Sequence, residues 1–189
     1  IRDRSTAEQV SFFNHLLAAG EKYIHFWTDG AAEFEGAAKS SGAAHDATQK
    51  GNKRQNARAE RAKGFIREGR RCLLLQAGLP APWWPYALRY FCLCCNAKID
   101  DSGSSAYFRR FGEHFSQPLI PFGALVDFVP PPEDNVPKAK QSPNAVPGIY
   151  LGWVCRAGAR VGPESHCIDL NELKDMNMKT GLCRSGGGY

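Results

Sequence analysis

The chain reads as an α/β fold followed by a small β-rich, barrel-like module. Three observations predict this. A short apolar run, Tyr23-Ile24-His25-Phe26-Trp27-Thr28, lies between two segments of helical spacing. A basic segment then keeps helical spacing from Arg54 to about Ala77. From Phe122 onward the pattern changes to short strands joined by Pro- and Gly-rich loops.

The elements follow in order. Ser5-Thr6-Ala7-Glu8 is a capping box, a hydroxyl with Glu three residues on. It opens a helix with Val10, Phe13, Leu16 and Leu17 on one side, ending near Gly20. Residues 22–28 read as a buried strand closed by Asp29-Gly30. An Ala-rich helix spans 31–40 and stops around Gly42; a polar connection, with a brief strand at its start, follows from 43 to 53. The long helix has Ala59, Ala62, Ile66, Gly69 and Leu73 as its packing face and ends at Gly78 and Pro80. A further helix, 82–98, carries Trp83, Trp84, Tyr86, Leu88 and Phe91, read together as core packing. Residues 100–105 form a turn-rich stretch and 106–121 read as irregular. Strands are expected at 122–129, 148–155 and 165–170. The implied segmentation is 1–99, a linker 100–121, a β module 122–175 and a flexible tail 176–189.

Charge is concentrated. The 189 residues carry a formal charge of +5, yet residues 50–71 hold nine Lys/Arg against Glu60 and Glu68. A basic stripe on one helix is the electrostatic footprint of a phosphate backbone. No apolar run approaches the length of a membrane span. The start, Ile1-Arg2-Asp3-Arg4, has neither an initiator Met nor a signal-peptide core and suggests a piece of a longer chain. Seven Cys without framework spacing suggest reduced thiols in a cytosolic or nuclear setting. Cys92 and Cys95 form a lone C-x-x-C inside a helical segment, read as packing. His25, His45, His114 and His166 stand isolated, with no site assigned.

Asp29 ends the first strand and Glu60 lies on the basic helix, with thirty residues between them. Glu60 shares a helical stripe with Asn56, Lys63, Arg67 and Arg70. A carboxylate at a strand end and another on a cationic helix can share a divalent metal beside a phosphate backbone. Each acid also has a simpler role. Asp-Gly is a common turn after a strand, and Glu60 is placed to pair with Lys63.

Trp27-Thr28-Asp29-Gly30-Ala31-Ala32-Glu33-Phe34 resembles the block around the second catalytic Asp of integrases in the Pol polyprotein of copia-type retrotransposons. Gln55-Asn56-Ala57-Arg58-Ala59-Glu60-Arg61 resembles their helix block with the catalytic Glu, usually Asn-Gly-Val-Ala-Glu-Arg. Residues 71–80 with the Trp pair, then Phe122-Gly123 and Pro147-Gly148-Ile149-Tyr150-Leu151-Gly152-Trp153, resemble the blocks that follow, in the same order.

The resemblance implies an RNase H-like core with a D,D,E triad and two Mg²⁺ or Mn²⁺ ions. Such a pair activates an attacking hydroxyl and stabilises the leaving oxygen during DNA strand transfer. By position Asp29 would be the second acid and Glu60 the third, both metal ligands. Asn56 would lie near DNA. Lys53, Arg54, Arg58, Lys63 and Arg67 would hold phosphates without reading sequence. Element ends and target duplex would be the partners, in a homo-oligomer, in a nuclear or cytoplasmic retroelement particle, with no secretion and no membrane. The family's first Asp has no counterpart, since Asp3 sits in a polar stretch with no strand around it. The family's N-terminal His/Cys zinc module is also absent, and Ala57-Arg58 replaces Gly-Val. These departures imply that the chain alone is inactive, the metal being expected only with a completed triad. The alternative is a nucleic-acid-binding relic or domesticated module without catalysis.

Overall fold

A computed structural model describes residues 5–17, 20–28, 31–48, 57–131, 144–177 and 182–183. The fold is mixed α/β, in two compact units: Ile1–Gly64 with Cys155–Gly162, and Phe65–Val154 with Pro163–Tyr189. The boundary falls between Gly64 and Phe65, inside a helix.

In the first unit, α1 (Thr6–Leu16) starts as its capping box requires, the Ser5 hydroxyl accepting from the Glu8 N–H at 3.3 Å. Next come β1 (His25–Thr28), α2 (Ala32–Ser41) and β2 (Ala44–Ala47). The two strands pair in parallel, His25 opposite Ala44 and Thr28 opposite Ala47. Parallel neighbours need a crossover, and α2 supplies it. It ends at Gly42, whose φ of 69° is the left-handed conformation that closes helices. An aromatic cluster fills the covered side. Phe26 lies 4.7 Å from both Phe13 and Tyr23, and the Tyr23 hydroxyl donates to the Phe13 carbonyl at 2.9 Å. Ala37 and Ala38 of α2 are buried.

The strand expected over 22–28 is shorter and more open than its sequence suggests. Only Phe26 is buried, while Ile24 is 87% exposed and Trp27 half exposed. With one described neighbour, the alternating residues His25 and Trp27 face away from the covered side.

In the second unit, α3 (Ala57–Ala77) continues from the first and stops before Gly78. A 3₁₀ turn, Ala81–Trp83, leads into α4 (Trp84–Ala97). Phe91 of α4 lies where a side chain at Gly69 would go, so the glycine lets the two helices meet closely. α5 (Ala106–Phe111) follows, then β3 (Leu125–Phe128), β4 (Val146–Cys155) and β5 (Val161–Asp169), in sheet order β3-β4-β5. The chain continues through α6 (Leu170–Asp175) to a two-stranded pair, β6 (Met176–Asn177) with β7 (Leu182–Cys183).

One core joins the helices to the sheet. Leu79, Trp83, Ala87 and Tyr90 pack with Phe122, Tyr150, Leu151 and Ile168. The Tyr90 hydroxyl donates to the Ile120 carbonyl, and burial pushes its phenol above the ordinary tyrosine range. The Trp153 indole donates to the Pro118 carbonyl at 3.0 Å. The inward side chains of the β strands complete the α3–α4 core. Residues 106–121 are not all irregular, since α5 is a capped helix: the Ser105 hydroxyl accepts from the Phe108 N–H at 3.0 Å.

The turn before α5 is built on Asp100. Its carboxylate accepts from the Ser102 hydroxyl, from the Arg109 guanidinium at 2.7 Å, and from the N–H groups of Ser102 and Ser104 at 3.0 and 3.3 Å. These donors favour the ionised form and hold the carboxyl well below the usual carboxylate range. A lowered folded pKa adds stability above the unfolded value of about 3.9, and this is lost as pH falls further. Asp100→Asn should therefore lower the melting temperature at pH 7. The gap to wild type should narrow below about pH 4 in thermal unfolding followed by circular dichroism.

Candidate nucleic-acid interface

α3 presents six Lys/Arg and two Glu over its 21 residues. None of its residues is buried. Of the expected packing positions, Ile66, Gly69 and Leu73 are partly covered, whereas Ala59 and Ala62 are exposed. The N-terminal half is thus a solvated cationic rod, and only the C-terminal half contributes to a core.

The cations differ in what they already touch. Lys63 donates to Glu60 at 2.9 Å, and Glu68 lies 3.6 Å from Arg67 and 3.3 Å from Arg71. These pairs are largely exposed, so each is worth only a few tenths of a kcal/mol. A phosphate could displace them. The Arg70 guanidinium lies 4.9 Å over the Trp84 ring. Arg58 and Arg61 form no ion pair among the described residues. Arg61 was not singled out from the sequence, although it lies inside the same basic window.

Of the predicted site residues, Glu60, Arg58, Lys63 and Arg67 are exposed along α3. Asp29, Lys53, Arg54 and Asn56 lie outside the described residues. Thr28, the residue before Asp29, closes β1. The described residues do not by themselves fit a divalent metal. Glu60 is their one member of the expected pair, its Oε1 faces the Lys63 ammonium, and no cluster of three His, Cys, Asp or Glu suited to a metal occurs among them.

The histidines are less isolated than their spacing suggests. His25 lies 2.9 Å from Asp46 across the parallel pair, and His45 lies 2.8 Å from the Thr28 hydroxyl. His114 stacks on Phe108 and His166 meets the edge of Tyr86. The parallel register creates the first two contacts, and register is invisible to sequence spacing. Cys72, Cys92, Cys94, Cys95, Cys155 and Cys167 form no disulfide, and burial pushes the Cys94 and Cys95 thiols up, away from the thiolate a metal would need. The Trp83-Trp84 pair also divides. Trp83 is buried, but Trp84 is close to half exposed. Trp83 closes the 3₁₀ turn and Trp84 opens α4, so the two rings leave the backbone in different directions.

No described helix is long and apolar enough to cross a membrane. No protein-family model, curated protein or solved structure matches the chain.

Proposed function

We propose that this chain is the distal part of a copia-type integrase, an RNase H-like core that holds duplex DNA along α3. Asp29 and Glu60 are its second and third acids, for Mg²⁺ or Mn²⁺ in the parent enzyme. The observation that carries the reading is the order of elements: a parallel β1–α2–β2 unit, then a long exposed basic helix with Glu60 in its first turn. In such units ligands gather beyond the carboxyl ends of the strands, and Asp29 directly follows the last residue of β1. Cations on one exposed helix bind phosphates irrespective of base sequence.

The Glu60–Lys63 ion pair favours a second reading, a binding module without catalysis. A carboxylate satisfied by its own helix neighbour serves solubility as readily as metal binding.

Fluorescence anisotropy with a labelled 30-base-pair duplex tests the shared part of both. Affinity should fall steeply with NaCl and vary little with sequence. Arg58→Ala with Arg61→Ala should weaken binding about tenfold or more and flatten the salt slope by about two. Glu60→Gln should bind as tightly or tighter without metal. Salt-insensitive binding, or none, would overturn the proposal. Catalysis separates the two readings. In a chain extended on its N-terminal side, Mg²⁺-dependent strand transfer that vanishes with Asp29→Asn supports the integrase. Equal activity in that variant removes Asp29 from the triad.

A further inference from the structure

Within the second unit, the seam between α3 and α4 carries a feature that duplex binding does not use. Phe65 is 61% exposed and Trp84 is 46% exposed. Scattered exposed aromatics are ordinary, but these two are ordered along one helix pair. Phe65 packs on Phe91 with ring centres 5.2 Å apart, and Arg70 covers Trp84. Trp84 and Phe91 are two helical turns apart in α4, which separates Trp84 from the ring that Phe65 packs on by roughly 10 Å along the axis. Arg70 lies beside them on α3, whereas Arg67 and Arg71, each two residues from the α4-facing Gly69, project to the other side of the helix with Glu68. Arg70 has no carboxylate partner among the described residues.

We propose that this seam binds single-stranded nucleic acid, Trp84 and Phe65 taking the faces of two bases and Arg70 the phosphate between them. Aromatic faces next to cations are what single strands select, because a base stacks on a ring and its phosphate reaches the neighbouring charge. A duplex keeps its base faces stacked inside and can use only the cations. Arg70 orients the indole by cation–π contact and sits where the phosphate of a stacked nucleotide would pass. The proposal rests on α3 being a nucleic-acid helix, but it uses its Phe65–Arg70 segment rather than Arg58 and Arg61.

The test is anisotropy with fluorescein-labelled dT20 and, in parallel, a 20-base-pair duplex. Trp84→Ala should weaken dT20 binding by about five- to a hundredfold and change duplex binding less than about twofold. Trp84→Phe should recover most of the dT20 affinity. Phe65→Ala, at a more exposed ring, should also weaken dT20 selectively and keeps the test open if Trp84→Ala does not fold. Unchanged dT20 binding in both alanine variants, or equal loss of dT20 and duplex, would overturn the proposal. Loss of duplex binding in the Arg58/Arg61 variant bears on the previous section alone. A chain that binds dT20 through Trp84 but never binds duplex would sink that section and leave this one standing.

Discussion

Gly148→Ala should destabilise the second unit by about 3 kcal/mol or more and lower its melting temperature by about 10 °C or more. Gly148 sits on β4 opposite Val126 of β3 and is buried. A methyl group there would lie 2.5 Å from the Ile168 carbonyl oxygen and 2.5 Å from the Phe128 ring. The first neighbour is backbone in β5 and cannot rotate aside. Relief requires β5 to move, and Ile168 belongs to the core shared with Tyr90 and Trp83. Gly64→Ala is the matched control. It lies in α3 with nothing within 4 Å of the added carbon, and should gain about 1 kcal/mol from helix propensity alone. Opposite signs for one substitution at two glycines, read by thermal unfolding, would show that close approach decides the effect. A Gly148→Ala variant that melts within about 2 °C of wild type would refute the packing of β4 against β5 described above.

How much of this was legible in the sequence depends on which physical signal each feature uses. The capping box at Ser5, the Gly42 stop and the length of α3 are local signals, and they were legible. So was the cationic stripe with Glu60, because helical spacing fixes which side chains share a face. α5 was missed although its brackets, Ser105 as cap and Gly112 as left-handed stop, are present in the sequence. They sit in a stretch so rich in Ser and Gly that the pattern reads as loop. The His25–Asp46 and Thr28–His45 contacts depend on parallel register, and the shared core depends on which apolar faces meet. Neither is a local property. Trp84 shows the same limit at the candidate site. Its residue type suggests core, and only its position beside Trp83 and beneath Arg70 makes it a surface ring.

The strongest test of the shared core is a pair of substitutions. Gly123 has φ of 81° in the turn before β3, and its N–H donates to the Tyr150 carbonyl at 2.9 Å. A side chain there would overlap the methyl group of Ala77, the last residue of α3, whose Cα is 3.1 Å away. Gly123→Ala therefore carries two costs. The left-handed backbone costs a non-glycine residue about 1–2 kcal/mol, and overlap with Ala77 adds about 1–3 kcal/mol. Ala77→Gly alone should cost about 1 kcal/mol or less, since it lies at the end of the helix. Combined with Gly123→Ala, it should restore the overlap part and leave the backbone part. A double-mutant cycle should then give a favourable coupling of about 1–2 kcal/mol, well above the error for independent sites. Strict additivity would mean that α3 does not touch the turn before β3. The helix and the β strands would then be separate bodies, as the sequence segmentation alone suggests.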